Sequence, residues 1–342
     1  MKTRGEAIAA WGLWALALLG CGDSASTPAL DSTGPADVTQ DSVTLDTEQG
    51  DTAPADTTPP RTELVVMSYN VMCSFCSFSE HFDWEWDWDA RMPWIHDTVR
   101  RHDPDVIGVQ ELATIDGSHP DQILAVVDGD ETYGAVFYRT QEGDTLPYDY
   151  PDATVYYRKS RFELLDEGAF WLSPTPDVAY TSGWNDGPAA PRLVAWATLR
   201  DRHTGRDLTF ATTHFDNNAP NQLHSAPLSL ERLAPFAAAR PLIFVGDYNS
   251  RPNSAAYAIL DGGVDGAGFA LDNAYDHAPD APRRVPAEGA RTDWDPADRI
   301  DHIWFAGAAF TVSDWAVDLT PYGPLGQAAS DHYAIVATLA LP

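Results

Sequence analysis

Six stretches of this chain end or begin an apolar run on a side chain able to bind a cation, hold a water or carry a proton. Asn70 closes Glu63–Asn70, and Gln110-Glu111 follows Val106–Val109. Thr213-His214-Phe215-Asp216 follows Leu208–Thr213, and Gly246-Asp247-Tyr248-Asn249 follows Leu242–Val245. Asp301-His302 sits within Arg299–Phe305, and Ser330-Asp331-His332 opens the last apolar stretch. A polar group placed directly after a buried strand is held at the edge of a rigid sheet, where a catalytic group gains orientation from the scaffold. Carboxylates gathered there repel one another, so the cluster calls for a divalent ion. Together with imidazoles the set suits phosphoester hydrolysis, in which negative charge grows on the phosphate and leaving oxygens. Each piece alone has a plainer reading: Asp247-x-Asn249 as a turn, Glu111 as a cap, Ser330-Asp331-His332 as a strand start. The ordered recurrence of all six is what points to a site.

The elements that must position them alternate strand-like and helix-like. Strands are expected at Glu63–Asn70, Val106–Val109, Tyr133–Tyr138, Thr154–Arg158, Phe162–Phe170, Leu193–Arg200, Leu208–Thr213, Leu242–Val245, Ile300–Phe305, Phe310–Val317 and His332–Leu341. Helical spacing of Met92, Ile95 and Val99, with Pro93 near the start, predicts a helix over Arg91–His102. Further helices are expected at Asn221–Ala238 and Ser254–Leu260. His203-Thr204-Gly205 reads as the turn of a hairpin. Many strands with scattered helices and no parallel repeat indicate an α+β layered sandwich.

The strings Ser68-Tyr69-Asn70-Val71, Val109-Gln110-Glu111, Thr213-His214-Phe215-Asp216, Gly246-Asp247-Tyr248-Asn249-Ser250-Arg251-Pro252, Arg299-Ile300-Asp301-His302-Ile303 and Ser330-Asp331-His332 resemble the endonuclease/exonuclease/phosphatase superfamily, the deoxyribonuclease-I-like proteins. Tyr157–Pro174 resembles the branch with a Phe-Trp-Leu-Ser segment. The resemblance implies a four-layer αββα sandwich with the site at one end of two stacked sheets. It implies that Glu111, with Asn70 and Asp331, holds Mg²⁺ or Mn²⁺, for which hard oxygen ligands are suited. It implies that Asp247 and Asn249 orient water and phosphate, that His332 contacts the phosphate with Asp301 fixing its tautomer, and that His214 lies near the leaving oxygen. Arg192 is either a phosphate clamp or one half of a structural ion pair. Where the family's nucleases pair the first histidine with a Glu, this chain reads Tyr148-Asp149-Tyr150-Pro151-Asp152, leaving Asp149 or Asp152 as the partner of His214.

Residues 1–20 read as an export signal. Lys2 and Arg4 precede an apolar run from Ala7 to Leu19 that is too short to span a bilayer, and Leu18-Leu19-Gly20-Cys21 resembles a bacterial lipobox. Lipidation of Cys21 would anchor the chain to a membrane of the cell envelope. Residues 21–61, rich in Asp, Ser, Thr, Pro and Ala, read as a disordered tether. Residues 62–342 then form one catalytic domain, read as a monomer. It holds 18 of the 21 basic and 42 of the 51 acidic residues, a net charge of −24, with no basic stripe. That disfavours broad electrostatic capture of nucleic acid. Cys73 and Cys76 suggest a local disulfide in an exported protein, ahead of free thiols or a zinc half-site. The aromatic–acidic run Phe82–Trp88, and Trp184, read either as a stacking rim or as sheet packing.

The leading expectation is a metal-dependent phosphodiesterase or nuclease acting outside the cytoplasm on nucleic acid or small organophosphates. The alternatives are a sphingomyelinase-like phospholipid hydrolase and a catalytically silent binding lipoprotein. The intact polar set argues against the last.

Overall fold

The computed structural model describes residues 62–74, 88–112, 132–139, 152–184, 190–263, 269–281, 283–285, 294–306, 310–324 and 326–340. The expected signal, Cys21, the tether, Cys76, Asp149 and Phe82 to Asp87 lie outside them. Among the described residues no helix is long and apolar enough to cross a membrane.

The strands are β1 (Glu63–Asn70), β2 (Val106–Gln110), β3 (Tyr133–Phe137), β4 (Ala153–Arg158), β5 (Phe162–Trp171), β6 (Leu193–Asp201), β7 (Asp207–His214), β8 (Leu242–Asp247), β9 (Asp272–Asn273), β10 (Arg283–Val285), β11 (Asp301–Ala306), β12 (Thr311–Asp318) and β13 (Ile335–Ala340). The helices are α1 (Trp88–His102), α2 (Ala219–Ala239), α3 (Ala255–Gly262) and the single turn α4 (Ala274–His277). One sheet has the order β10-β12-β13-β1-β2-β4-β3 and the other β5-β6-β7-β8-β11-β9.

The central strands β2 and β8 are buried at every position, because both faces of each sheet are covered, so their apolar runs do not alternate. Between the sheets pack Leu64, Val66, Val155, Phe210, Val245 and Ile303. Outside the first sheet, Met67, Ile107 and Val109 meet Ile95 and Val99 of α1. Outside the second, Phe244 and Trp304 meet Leu230 and Leu233 of α2 and Leu260 of α3. Helix, sheet, sheet, helix is the αββα order implied by the motifs. The sheets approach closely at Gly108, where a Cβ would lie 2.3 Å from Val245 Cγ2 and 2.5 Å from Thr212 Oγ1. Gln110 Nε2 crosses the same gap to donate to Thr212 Oγ1 at 3.0 Å.

Strand direction gathers the polar ends. β1 and β2 run parallel, as do β7 and β8, so Asn70, Gln110, His214 and Asp247 finish at one edge. β4, β11 and β13 run antiparallel to their neighbours, so Asp152, Asp301 and Ser330-Asp331-His332 lie at or just before their starts, on that same edge.

The last strand differs from expectation. It begins at Ile335, not His332, because Ser330 Oγ accepts the His332 N–H at 3.2 Å and donates to the Asn70 carbonyl at 2.7 Å. These bonds hold residues 330–332 as a turn outside the ladder, whose pairing with β1 starts at Ser68–Ile335. The short β9, β10 and α4 carry too few residues for a readable period. Trp88 is buried in the α1 cluster. Trp184 is half-buried, stacks on His224 at 4.9 Å and donates its backbone N–H to Asn221 Oδ1.

Candidate active site

Asp247 is the centre of the site. Its side chain is almost fully buried, and Oδ2 lies 3.4 Å from His214 Nε2 and 3.6 Å from His332 Nε2. Oδ1 accepts the Asn249 N–H at 2.8 Å. Burial alone would raise its pKa, but His332, His214, the Asn249 N–H and the Asn70 amide together hold it below the ordinary carboxylate range. Gly246 is required beside it: a Cβ there would meet the Thr213 carbonyl at 2.1 Å.

Each imidazole has its own carboxylate. His214 Nδ1 donates to Asp152 Oδ1 at 2.9 Å, and His332 Nδ1 donates to Asp301 Oδ2 at 2.8 Å. This fixes the tautomer of each ring and turns both Nε2 atoms toward Asp247. Burial pushes the His332 pKa down, but Asp301, Asp247 and Asp331 outweigh it and raise it well above the usual value. Burial and Arg192 push His214 down, and Asp152 and Asp247 carry it above the usual value. Asp152, though buried, is drawn down to about 2 by Arg192 and His214. Burial and the neighbouring Asp247 raise Asp301. One proton therefore stays in the Asp301–His332 pair, and we place it on the imidazole, which has a carboxylate on each side.

Asn70 and Glu111 come together, as the sequence led us to expect, but with different tasks. Asn70 Oδ1 accepts the Met72 N–H at 3.0 Å. A backbone N–H can only donate, so the amide is oriented with Nδ2 outward. Nδ2 donates to Glu111 Oε1 and to Asp247 Oδ2, both at 3.1 Å. Asn70 thus donates to both carboxylates. Glu111 Oε2 accepts the Cys73 N–H at 3.3 Å. Asp331 is exposed beside His332, with Oδ1 3.3 Å from Ser330 Oγ. Among the described His, Cys, Asp and Glu residues, Asp247, Asp301 and His332 have ligand atoms all within 4.8 Å of one another. The donor chemistry fits a hard divalent cation: Asp247 and Glu111 offer oxygens across one amide, and the buried Asp301 Oδ1 has no hydrogen-bond partner among the described residues.

Arg192 takes the structural alternative, ion-paired to Asp152, with Nη1 2.7 Å from His214 Nδ1. Asp152 is the acidic partner left undecided between Asp149 and Asp152. The signal was one of register: it directly precedes Ala153, which pairs with Gln110. Cys73 is disulfide-bonded, and Cys76 lies outside the described residues.

The site loops carry strain. Met72, Glu111 and Asn249 have φ of 59°, 58° and 48°, a conformation that costs a non-glycine residue about 1–3 kcal/mol and persists where surroundings impose it. Around Asn249 the imposing group is Gln222, a residue the sequence reading missed. Gln222 Nε2 donates to the carbonyls of Asp216 and Asn249 at 2.9 and 3.0 Å, while Oε1 accepts from Ser250 Oγ at 3.1 Å. The available signal was a polar stripe, Asn221, Gln222, Ser225 and Ser229, on the buried face of α2. Asn249 Nδ2 donates to the Phe215 carbonyl at 3.0 Å and sits 3.3 Å from His214 Nε2. His302 does not join the site: buried, it donates from Nε2 to the Ser250 carbonyl at 2.8 Å, and burial pushes its pKa down to about 3.

Residues 67–332 match the model of the Endonuclease/Exonuclease/phosphatase family. A crystal structure of a family protein from Bacteroides thetaiotaomicron is 25% identical, covering 82% of this chain and 98% of that one, with a TM-score of 0.66. A mannosyl-6-phosphatase from the same organism is 26% identical, covering 81% of this chain and all of that one, with a TM-score of 0.65. An uncharacterised protein of Acanthamoeba polyphaga mimivirus is 22% identical over 231 residues, 59% of this chain. The match spans about one third of that relative's length, 33%.

Proposed function

Because the chain belongs to the endonuclease/exonuclease/phosphatase family, whose members hydrolyse phosphoester bonds, we propose that it is a divalent-metal-dependent phosphoesterase acting outside the cytoplasm. One observation carries the reading: a single buried carboxylate, Asp247, lies 3.4 and 3.6 Å from two imidazoles, each oriented by its own Asp.

The residues divide the work. Asp247, kept ionised, positions and polarises the attacking water. His332, kept protonated by Asp301, presents Nε2–H to a phosphate oxygen as charge builds there. His214 Nε2 and the Asn249 amide face the same space and stabilise the phosphoryl group from the other side. Asp152 and Arg192 hold His214 in place. Glu111 and Asp247, with Asp301 or Asp331 at the open edge, would hold Mg²⁺ or Mn²⁺. A bound cation would act as a Lewis acid on the phosphate.

The resemblance of Leu18-Leu19-Gly20-Cys21 to a lipobox supports placement at the cell envelope through a lipid on Cys21, with residues 22–61 as spacer. Incorporation of labelled palmitate that vanishes in Cys21→Ser would test this; label retained without the cysteine would defeat it. For the activity, the purified full chain is incubated with bis-p-nitrophenyl phosphate, plasmid DNA, RNA and sphingomyelin, with Mg²⁺, with Mn²⁺ and with EDTA. We expect turnover of at least one substrate, abolished by EDTA and by His332→Ala. Turnover unaffected by EDTA would remove the metal, and no turnover at all would leave a binding protein.

A further inference from the structure

Arg91, in the first turn of α1, is fully buried, and a guanidinium stays charged wherever it is placed. Its two terminal nitrogens donate to four backbone carbonyls. Nη1 reaches Val71 at 2.8 Å and Ala329 at 3.1 Å. Nη2 reaches Met72 at 3.0 Å and Cys73 at 3.1 Å. The Trp88 ring lies against the same group, its centroid 5.3 Å from Cζ. Three of these carbonyls belong to the loop that leaves β1, and the fourth directly precedes Ser330-Asp331-His332. One side chain therefore holds two loops of the site at once.

Each loop carries part of the chemistry. In the first, the Met72 N–H orients the Asn70 amide and the Cys73 N–H donates to Glu111 Oε2. Met72 holds a left-handed φ of 59°, which its surroundings must impose. In the second, residues 329–332 lie outside the ladder, whose pairing with β1 starts at Ser68–Ile335, so strand pairing does not aim His332. We propose that Arg91 is a positioning residue for the reaction. It sets the loop behind Asn70 and Glu111 against the turn that carries Asp331 and His332, and so fixes the spacing of the carboxylate side of the site from its imidazole side. It touches no reacting atom. A guanidinium suits the task because its donors point outward in a rigid planar fork, whereas a lysine gathers three donors on one nitrogen and does not span both loops. The expected effect on rate rests on the phosphoesterase reading; the clamp itself rests on the four hydrogen bonds.

Arg161 is the control. It is comparably buried, but it donates to the Glu63 carbonyl, Asp105 and Asp201, at the other end of β1. Arg91→Lys and Arg161→Lys are made in the full chain and assayed on bis-p-nitrophenyl phosphate with Mg²⁺. We expect Arg91→Lys to lower kcat about hundredfold while KM moves less than about threefold, the size of loss that a small misplacement produces, and Arg161→Lys to keep kcat within about threefold of native. A loss under about tenfold in Arg91→Lys, or an equal loss in both variants, overturns the inference and leaves the hydrolase intact. Amide hydrogen exchange reads the clamp without turnover. The Met72, Cys73 and His332 N–H groups should exchange together at least about tenfold faster in Arg91→Lys than in Arg161→Lys; native rates at either loop overturn the inference. If the native chain turns nothing over, the hydrolase reading falls and exchange alone decides. If Arg91→Lys does not fold, Trp88→Phe, which trims the ring against the guanidinium, takes its place: faster exchange at both loops supports the inference, and native rates at either overturn it.

Discussion

Two carboxylate–imidazole pairs flank Asp247, and they are built differently. Asp152–His214 is sealed: the side chains are 0% and 3% exposed, with Arg192 closing the carboxylate's other oxygen. Asp301–His332 is at the open edge: its side chains are 12% and 16% exposed, and among the described residues one Asp301 oxygen has no hydrogen-bond partner. The sealed pair is fixed by charge balance in the interior. The open pair has spare capacity for a ligand. One carboxylate thus faces a rigid imidazole on one side and a reactive one on the other.

Asp247→Asn removes what the pairs share and should lower kcat on a phosphodiester by about 10⁴, at the upper end of what positioned acids and bases contribute. A loss under tenfold would mean that neither imidazole works through it. His332→Gln should cost about 10³ in kcat with little change in stability. If it unfolds the protein instead, the open pair is structural.

The stability contrast is sharper still. Asp152→Asn removes the buried carboxylate that pairs with both Arg192 and His214 and should cost about 3–5 kcal/mol in denaturant unfolding. Asp301→Asn should cost about 1–2 kcal/mol. Equal losses would erase the distinction between sealed and open.

Acid acts elsewhere. His302 stays neutral in the fold down to about pH 3, while in the unfolded chain it takes a proton below about 6.5. Its contribution is complete above 6.5 and is lost as pH falls toward 3, about 2 kcal/mol by pH 5. His302→Gln should flatten that stretch of the stability curve. An unchanged slope would show that other groups dominate it.

The smallest effect is on the pH–rate profile. With His332 held protonated above its usual range, the rate should be level below its raised pKa and fall as pH rises through it. Asp301→Asn should move that fall to lower pH, because the carboxylate that raises His332 most is gone. No movement would mean that another group titrates.

The long fold elements were legible because burial writes a period or an unbroken apolar run: β1, β2, β8 and α1 lie where these signals place them. The site was legible as a set, since each member follows or precedes such a run. Roles were less so. That the Asn70 amide donates to Glu111 and Asp247 is set by the Met72 N–H, which takes its oxygen. Gln222 and Asp152 carry no local mark of what they support, because the groups they hold lie 27 and 62 residues away, at Asn249 and His214.

What the chain alone determined was therefore the identity of the reactive side chains and the strands that carry them, since burial of those strands depends mostly on local residue type. Which carboxylate serves which imidazole, and which arginine is neutralised, was decided only by packing the two sheets. Ångström distances between their edges depend on strand direction and register summed over the whole sandwich, and no short stretch of residues encodes them.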